Sequence, residues 1–138
     1  MPNFVLDSSV IIAGLVPENK SSLCRDYLQQ AVEGKATLYS PEYARIEIAN
    51  VLWKYYERNQ LTAGEINILW ENITALPIQW ISHTDLLYPA IEISLKYHIT
   101  IYDAIYVITA EKFRYPLITL DSELSKKFLK SDITVKLL

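Results

Sequence analysis

The sequence predicts an α/β sandwich, a mainly parallel sheet with helices on both of its faces. Short β-type runs alternate with helical stretches along the chain, and that order calls for right-handed crossovers and parallel strands. With 138 residues, 51% of them hydrophobic and 21% charged, the chain has the size and composition of one globular domain with a single substantial core. No repeat, low-complexity segment or linker divides it, so the domain is expected to span residues 1–138.

The elements follow in order. FVL at 4–6 reads as the first strand, and Asp7-Ser8-Ser9 as the start of a helix. Ser21 or Ser22 can cap a second helix, which Gly34 closes. TLY at 37–39 is the second strand. Ser40-Pro41-Glu42 then offers a hydroxyl cap, a first-turn proline and an acid to a helix running to about Arg58. Thr62-Ala63-Gly64-Glu65 has capping-box spacing and starts another helix. IQWI at 78–81 is the third strand, followed by a helix from Thr84 to about Tyr97. ITIYDAIYVITA at 99–110 is apolar on every face, the mark of a helix buried all round, and Asp103 is its one charge. Past Pro116, LITL at 117–120 is the fourth strand, 122–130 a short helix and ITVKL at 133–137 the fifth strand. In such sheets ligands sit beyond the carboxyl ends of the strands.

Composition excludes several classes of function. No apolar run reaches the roughly 18 residues of a membrane span, and MPNFVLD lacks the basic and long apolar regions of a signal peptide. A lone cysteine, Cys24, builds no disulfide framework and points to a reducing, cytoplasmic setting. Gly14, Gly34 and Gly64 are too scattered for a phosphate-cradling loop, and two histidines, His83 and His98, are few for a zinc site. A net charge of −3 argues against general attraction to nucleic acid, so such a partner would need a local basic patch. The candidates are Arg45, Lys54 and Arg58, then Lys112 and Arg114, and the cluster Lys126, Lys127 and Lys130.

Four acids fall where this fold places its ligands. Asp7 follows the first strand and Asp121 the fourth, Asp103 begins the buried helix, and Glu47 lies in the second turn after the second strand. Each has a structural explanation too. Asp7 and Asp121 occupy N-cap positions, Thr100 and Asp103 have capping-box spacing, and Glu47 shares a polar stripe with Asn50, Lys54, Glu57 and Arg58. Capping accounts for the position of Asp103 but not for its apolar neighbours Ile99, Tyr106 and Val107; Tyr102 and Tyr106, which flank it, read as core. Taken together, four carboxylates around one crevice repel at about 4 kcal/mol per pair 4 Å apart. A hard divalent cation, Mg²⁺ or Mn²⁺, relieves that repulsion, and acids plus such a metal in an open crevice make a phosphodiester hydrolase.

VLDSSV at 5–10, RIEIANVLWK at 45–54, YDAIYVITAE at 102–111 and LITLDSEL at 117–124 resemble the PIN-domain ribonucleases, in particular VapC-type toxins of toxin–antitoxin pairs. The likeness spans nearly the whole chain in the family's order. It implies a three-layer α/β/α sandwich with a five-stranded parallel sheet in the order 3-2-1-4-5. It implies further an endoribonuclease dependent on Mg²⁺ or Mn²⁺, an RNA substrate, a homodimer and a small antitoxin protein that covers the site. By the same resemblance Asp7, Glu47, Asp103 and Asp121 match the metal acids, Thr119 the hydroxyl that orients acids or water, and Ser8 the small hydroxyl beside the first acid. Glu123 is an extra acid that serves either the metal or the first turn of its helix.

Other classes fit less well. A receiver-like phosphoacceptor domain needs adjacent acids after the first strand and an acceptor aspartate after the third, where this chain has Asp7 alone and Ile81-Ser82-His83. A haloacid-dehalogenase-type phosphatase needs Asp-x-Asp where Asp7-Ser8-Ser9 stands. A PIN scaffold without catalysis, binding RNA or protein, remains the main alternative.

Overall fold

The structure is a computed structural model that describes residues 1–17 and 20–138. Its sheet consists of β1 (Asn3–Leu6), β2 (Thr37–Pro41), β3 (Ile78–Ile81), β4 (Leu117–Thr119) and β5 (Val135–Leu137). All neighbours pair in parallel, in the order β3-β2-β1-β4-β5, as the resemblance implies. The register sets Val5 beside Tyr39 and Leu117, and Leu6 beside Ile118.

Successive side chains of a strand point to opposite faces, so each strand feeds two cores. Leu6, Leu38 and Ile118 face α1 (Ser8–Leu15), α2 (Ser21–Val32), α3 (Tyr43–Glu57) and α4 (Ala63–Ala75). Val5 and Leu117 face α6 (Ile101–Phe113) and α7 (Ser122–Lys127). On that side α5 (Leu87–Tyr97), entered through a short 3-10 turn at Thr84–Leu86, packs against α6. The helix expected to be buried all round is so from Ala104 to Ala110, seven consecutive residues without appreciable exposure. Among the described residues no helix is long and apolar enough to cross a membrane.

Local signals held where the side chain had no stronger partner. Thr62 and Glu65 form both bonds of a capping box, and Gly34 ends α2 at φ +72°, a backbone region open to glycine without strain. At two helix starts the expected cap is absent. Ser40 does not cap α3; its buried hydroxyl donates to the Leu6 carbonyl at 2.8 Å, and Pro41 completes β2 instead of opening the helix. Neither Ser21 nor Ser22 caps α2: both lie inside it, and the hydroxyl of Ser21 donates to the Val16 carbonyl at 3.1 Å. The two terminal elements are shorter than expected, because α7 ends at Lys127 and β5 starts only at Val135.

Candidate acidic site at the carboxyl edge of the sheet

Asp7 directly follows β1, and its carboxylate is the hub of the site. Its Oδ1 accepts the Ser9 amide at 3.2 Å, which caps α1, while its Oδ2 accepts the Thr119 hydroxyl at 2.8 Å. Thr119 ends β4 fully buried, and its oxygen also accepts the Asp121 amide at 3.0 Å. One hydroxyl therefore ties the acid after β1 to the acid after β4. Asp121 in turn caps α7 through Oδ1, which accepts the amides of Glu123 and Leu124 at 3.0 and 3.1 Å. Capping uses only one of its oxygens; no donor among the described residues reaches Oδ2.

Glu47 arrives from α3. It is half-buried, off the solvated stripe its helical wheel suggests. Its Oε1 accepts the hydroxyl of Tyr106, a fully buried residue of α6. The Ser8 hydroxyl stands 3.4 Å from the same oxygen and 3.3 Å from Asp7 Oδ1. Both separations are long for an O–H···O bond, and a single proton is shared between two acids. Asp103 stands in the first turn of α6, its amide capped by the Thr100 hydroxyl at 3.2 Å, and it is joined to the group by charge rather than by a hydrogen bond.

The electrostatics follow from burial and crowding. Burial pushes the Asp7 carboxyl above its ordinary value; bonds from Thr119, Ser9 and Ser8 oppose this, and Asp121 adds repulsion. Glu47 is raised by burial and by the charges of Asp7 and Asp103, against the bonds from Tyr106 and Ser8. Asp103 is raised by burial, Asp7 and Asp121, with Thr100 and then Lys127 opposing. Tyr43, one turn before Glu47, is pushed up to about 12 by burial, Glu47, Tyr102 and Asp103. Repulsion thus links Asp7 with Glu47, Asp103 and Asp121, and Asp103 with Glu47 and Asp121, and none of the four is in an ion pair among the described residues.

Oxygen donors of this kind suit a hard divalent cation, and carboxylates raised by burial and mutual repulsion are those an ion would return to the charged form. Asp7, Glu47, Asp103 and Asp121 are the residues that could hold it. Among the described residues, no three or more His, Cys, Asp or Glu side chains are gathered closely enough to hold a metal ion as they stand. The acids share a rim without forming a closed cage. Glu123 does not join them: it is exposed and pairs with Lys126 at 3.6 Å.

A cavity of about 450 Å³ lies at the other end of the strands, lined by Ala110, Arg114, Pro116 and Thr134, and contains none of the four acids. Among the basic candidates, Arg45 lies 5.1 Å over the Trp80 ring and 3.8 Å from Glu42, and Lys127 donates to the His98 carbonyl at 2.7 Å.

Two tyrosines carry more than the sequence suggested. Tyr106 is core, as expected, yet its hydroxyl positions Glu47; the usable signal is that a buried tyrosine needs a partner for its O–H. Tyr102 is not core. It is 57% exposed and stacks on Tyr43, because it occupies the first turn of α6 before the helix enters the interior.

Known proteins resemble the chain in both sequence and fold. Ribonuclease VapC3 of Pyrobaculum aerophilum is 38% identical over 128 residues, covering 90% of this chain and 93% of its own. The fold of VapBC2 from Rickettsia felis, solved bound to a DNA fragment from its promoter, superposes with a TM-score of 0.68 at 11% identity over 97% of each chain. FitAcB from Neisseria gonorrhoeae superposes at 0.67 with 18% identity, over 96% of this chain and 95% of its own. The family model described as PIN domain matches residues 4–128, which takes in β1 from Phe4, all of β2, β3 and β4, and every acid of the rim. The strand order and the succession of motifs along the sequence therefore have a common origin: this chain belongs to the PIN-domain family.

Proposed function

We propose that this protein is a metal-dependent endoribonuclease and the toxin of a toxin–antitoxin pair. The observation that carries the reading is the rim itself, where carboxylates from four separate elements are linked by repulsion through Asp7 and Asp103, with no neutralising ion pair among the described residues. The 38% identity to a ribonuclease over most of both chains supports the choice of RNA as substrate. In this reading Asp7, Asp103 and Asp121 hold Mg²⁺ or Mn²⁺. Glu47 completes the ring as a ligand of metal-held water or as the proton acceptor for the attacking water. Thr119 and Ser8 orient Asp7 through their hydroxyls. The chemistry supplied by the ion when bound is polarisation of a phosphoryl oxygen and a lowered pKa for the attacking water.

The test is direct. Purified protein is expected to cut single-stranded RNA internally with Mg²⁺ or Mn²⁺ present and to stop when EDTA is added; inactivity with both ions refutes the reading. Tyr106→Phe then probes the positioning of Glu47, since it keeps the buried ring and removes only the hydroxyl that Glu47 accepts. A hydrogen bond to a charged group contributes about 1.5–3 kcal/mol, so kcat should fall by roughly 10- to 150-fold with KM little changed. An unaltered kcat would remove Tyr106 from this role.

Partners follow the same reading. Ile46, Trp53 and Tyr56 on α3, Ile68 on α4 and Leu87, Tyr88, Ile91 and Leu95 on α5 are exposed apolar side chains, and such patches mark protein interfaces. We assign these exposed side chains, on α3 and α4 and separately on α5, to contacts with a second copy of the chain and with a cognate antitoxin. Trp70 is not among them, being packed against the core.

A further inference from the structure

We propose that Tyr102 and Tyr43 form a stacking shelf beside the acidic rim, on which the enzyme holds one unpaired base of the RNA strand it cuts. This rests on the nuclease reading and adds to it a binding subsite and a substrate class. The two rings lie nearly parallel, 17° apart with centroids separated by 5.2 Å. Tyr43 is held further by His83, packed edge-on at 6.3 Å and 89°. Tyr102 remains 57% exposed although Tyr43 covers one of its faces, so its other face is turned to solvent. Both tyrosines are tied in sequence to the acids: Tyr102 directly precedes Asp103, and Tyr43 stands one helical turn before Glu47. In space, Tyr43 feels the charges of both Glu47 and Asp103, so the ring pair borders the rim, and a phosphodiester held at the rim would have a neighbouring base within reach of the open face of Tyr102.

The shelf also answers a difficulty set by the charge. Proteins ordinarily gain affinity for RNA by setting lysines and arginines against phosphates, and this chain carries a net charge of −3. A base is uncharged and is not repelled by the rim. Stacking requires only a flat π-face, which every base has, and an already fixed ring pair loses little side-chain freedom when the base arrives. Duplex bases are stacked within their helix and present no free face, whereas loops and single strands do. The shelf thus selects unpaired RNA without selecting a base.

The experiment measures binding apart from cleavage. In the Asp7→Asn background with Mg²⁺ present, fluorescence anisotropy of a labelled single-stranded RNA oligonucleotide reports Kd. Tyr102→Leu is expected to raise Kd about 5- to 150-fold, the range of one stacked base, and Tyr102→Phe to leave it within about twofold. An oligonucleotide with one abasic position is scanned along the same sequence. At a single position the missing base should cost the Tyr102 protein that same factor and cost the Tyr102→Leu protein nothing further. Unchanged Kd in Tyr102→Leu overturns the shelf, as do losses that merely multiply when both changes are combined. Loss of a protein partner in Tyr102→Leu with RNA affinity intact assigns the rings to a peptide and overturns it equally. A parent protein that fails to cleave RNA while Tyr102→Leu and the abasic scan behave as expected refutes the nuclease reading and leaves the shelf standing.

Discussion

Asp7→Asn is expected to abolish RNA cleavage, lowering it by about 10³-fold or more, while the protein stays folded. The two halves of this expectation come from different atoms. Asparagine keeps an oxygen that can accept the Ser9 amide, and Asn and Asp are nearly equal as helix caps, so α1 retains its start. The new amide nitrogen meets the Thr119 hydroxyl, which can rotate and accept, since a hydroxyl has two lone pairs and the Asp121 amide uses one. What disappears is the buried charge at the hub of the rim, together with its repulsion of Glu47, Asp103 and Asp121. Thermal stability of the metal-free variant should accordingly equal or exceed that of the parent. Asp103→Asn makes the parallel test from the other side of the rim. Mg²⁺-dependent cleavage surviving in both purified variants would rule out this site, and loss of folding in Asp7→Asn would show that the second carboxylate oxygen, which accepts the Thr119 hydroxyl, is needed to hold the fold.

That pair of roles explains why the sequence was readable at some positions and misleading at others. Alternating strands and helices, the capping box at Thr62 and Glu65 and the αL glycine at Gly34 depend on neighbours in the chain, and they stand in the structure as expected. Ser40 was misread because the competing partner is distant: the Leu6 carbonyl lies 34 residues away and takes the hydroxyl that a helix start would use. For Asp7 and Asp121 the capping and rim readings are both true, since a carboxylate has two oxygens and capping needs one. Glu47 was the opposite case. Its helical wheel shows a solvated stripe, and only the packing of α6 against α3 brings the Tyr106 hydroxyl to it. Tyr102 is the reverse again, an aromatic residue in an apolar run left outside the core because its turn precedes burial. The local grammar of caps and turns was legible, while the direction of each functional side chain was settled by contacts between elements far apart in the chain.

The same crowded acids predict an unusual response of stability to pH and metal. Asp7, Glu47 and Asp103 have folded-state pKa values raised above the ordinary 3.8 and 4.5 of their types, chiefly by burial. In the interval between those ordinary values and the raised ones, the folded protein binds more protons than the unfolded chain. Unfolding free energy then falls as pH rises through that interval, the reverse of a salt-bridged carboxylate. Metal-free protein should therefore lose this contribution as pH rises above the ordinary carboxylate values and the groups ionise against their burial and one another. A divalent cation acts in the opposite sense, because it binds only the folded rim and only its ionised form. At 100 times its Kd, Mg²⁺ or Mn²⁺ adds about 2.7 kcal/mol, and for a chain of this length Tm should rise by roughly 5–10 °C at pH 7. The gain should shrink steadily as pH falls toward the ordinary carboxylate values and be lost in Asp7→Asn at every pH. Differential scanning calorimetry with and without Mg²⁺ reads all of this in one series. A metal-induced shift independent of pH, or one retained in Asp7→Asn, would place the ion elsewhere on the protein and separate the raised acids from metal binding.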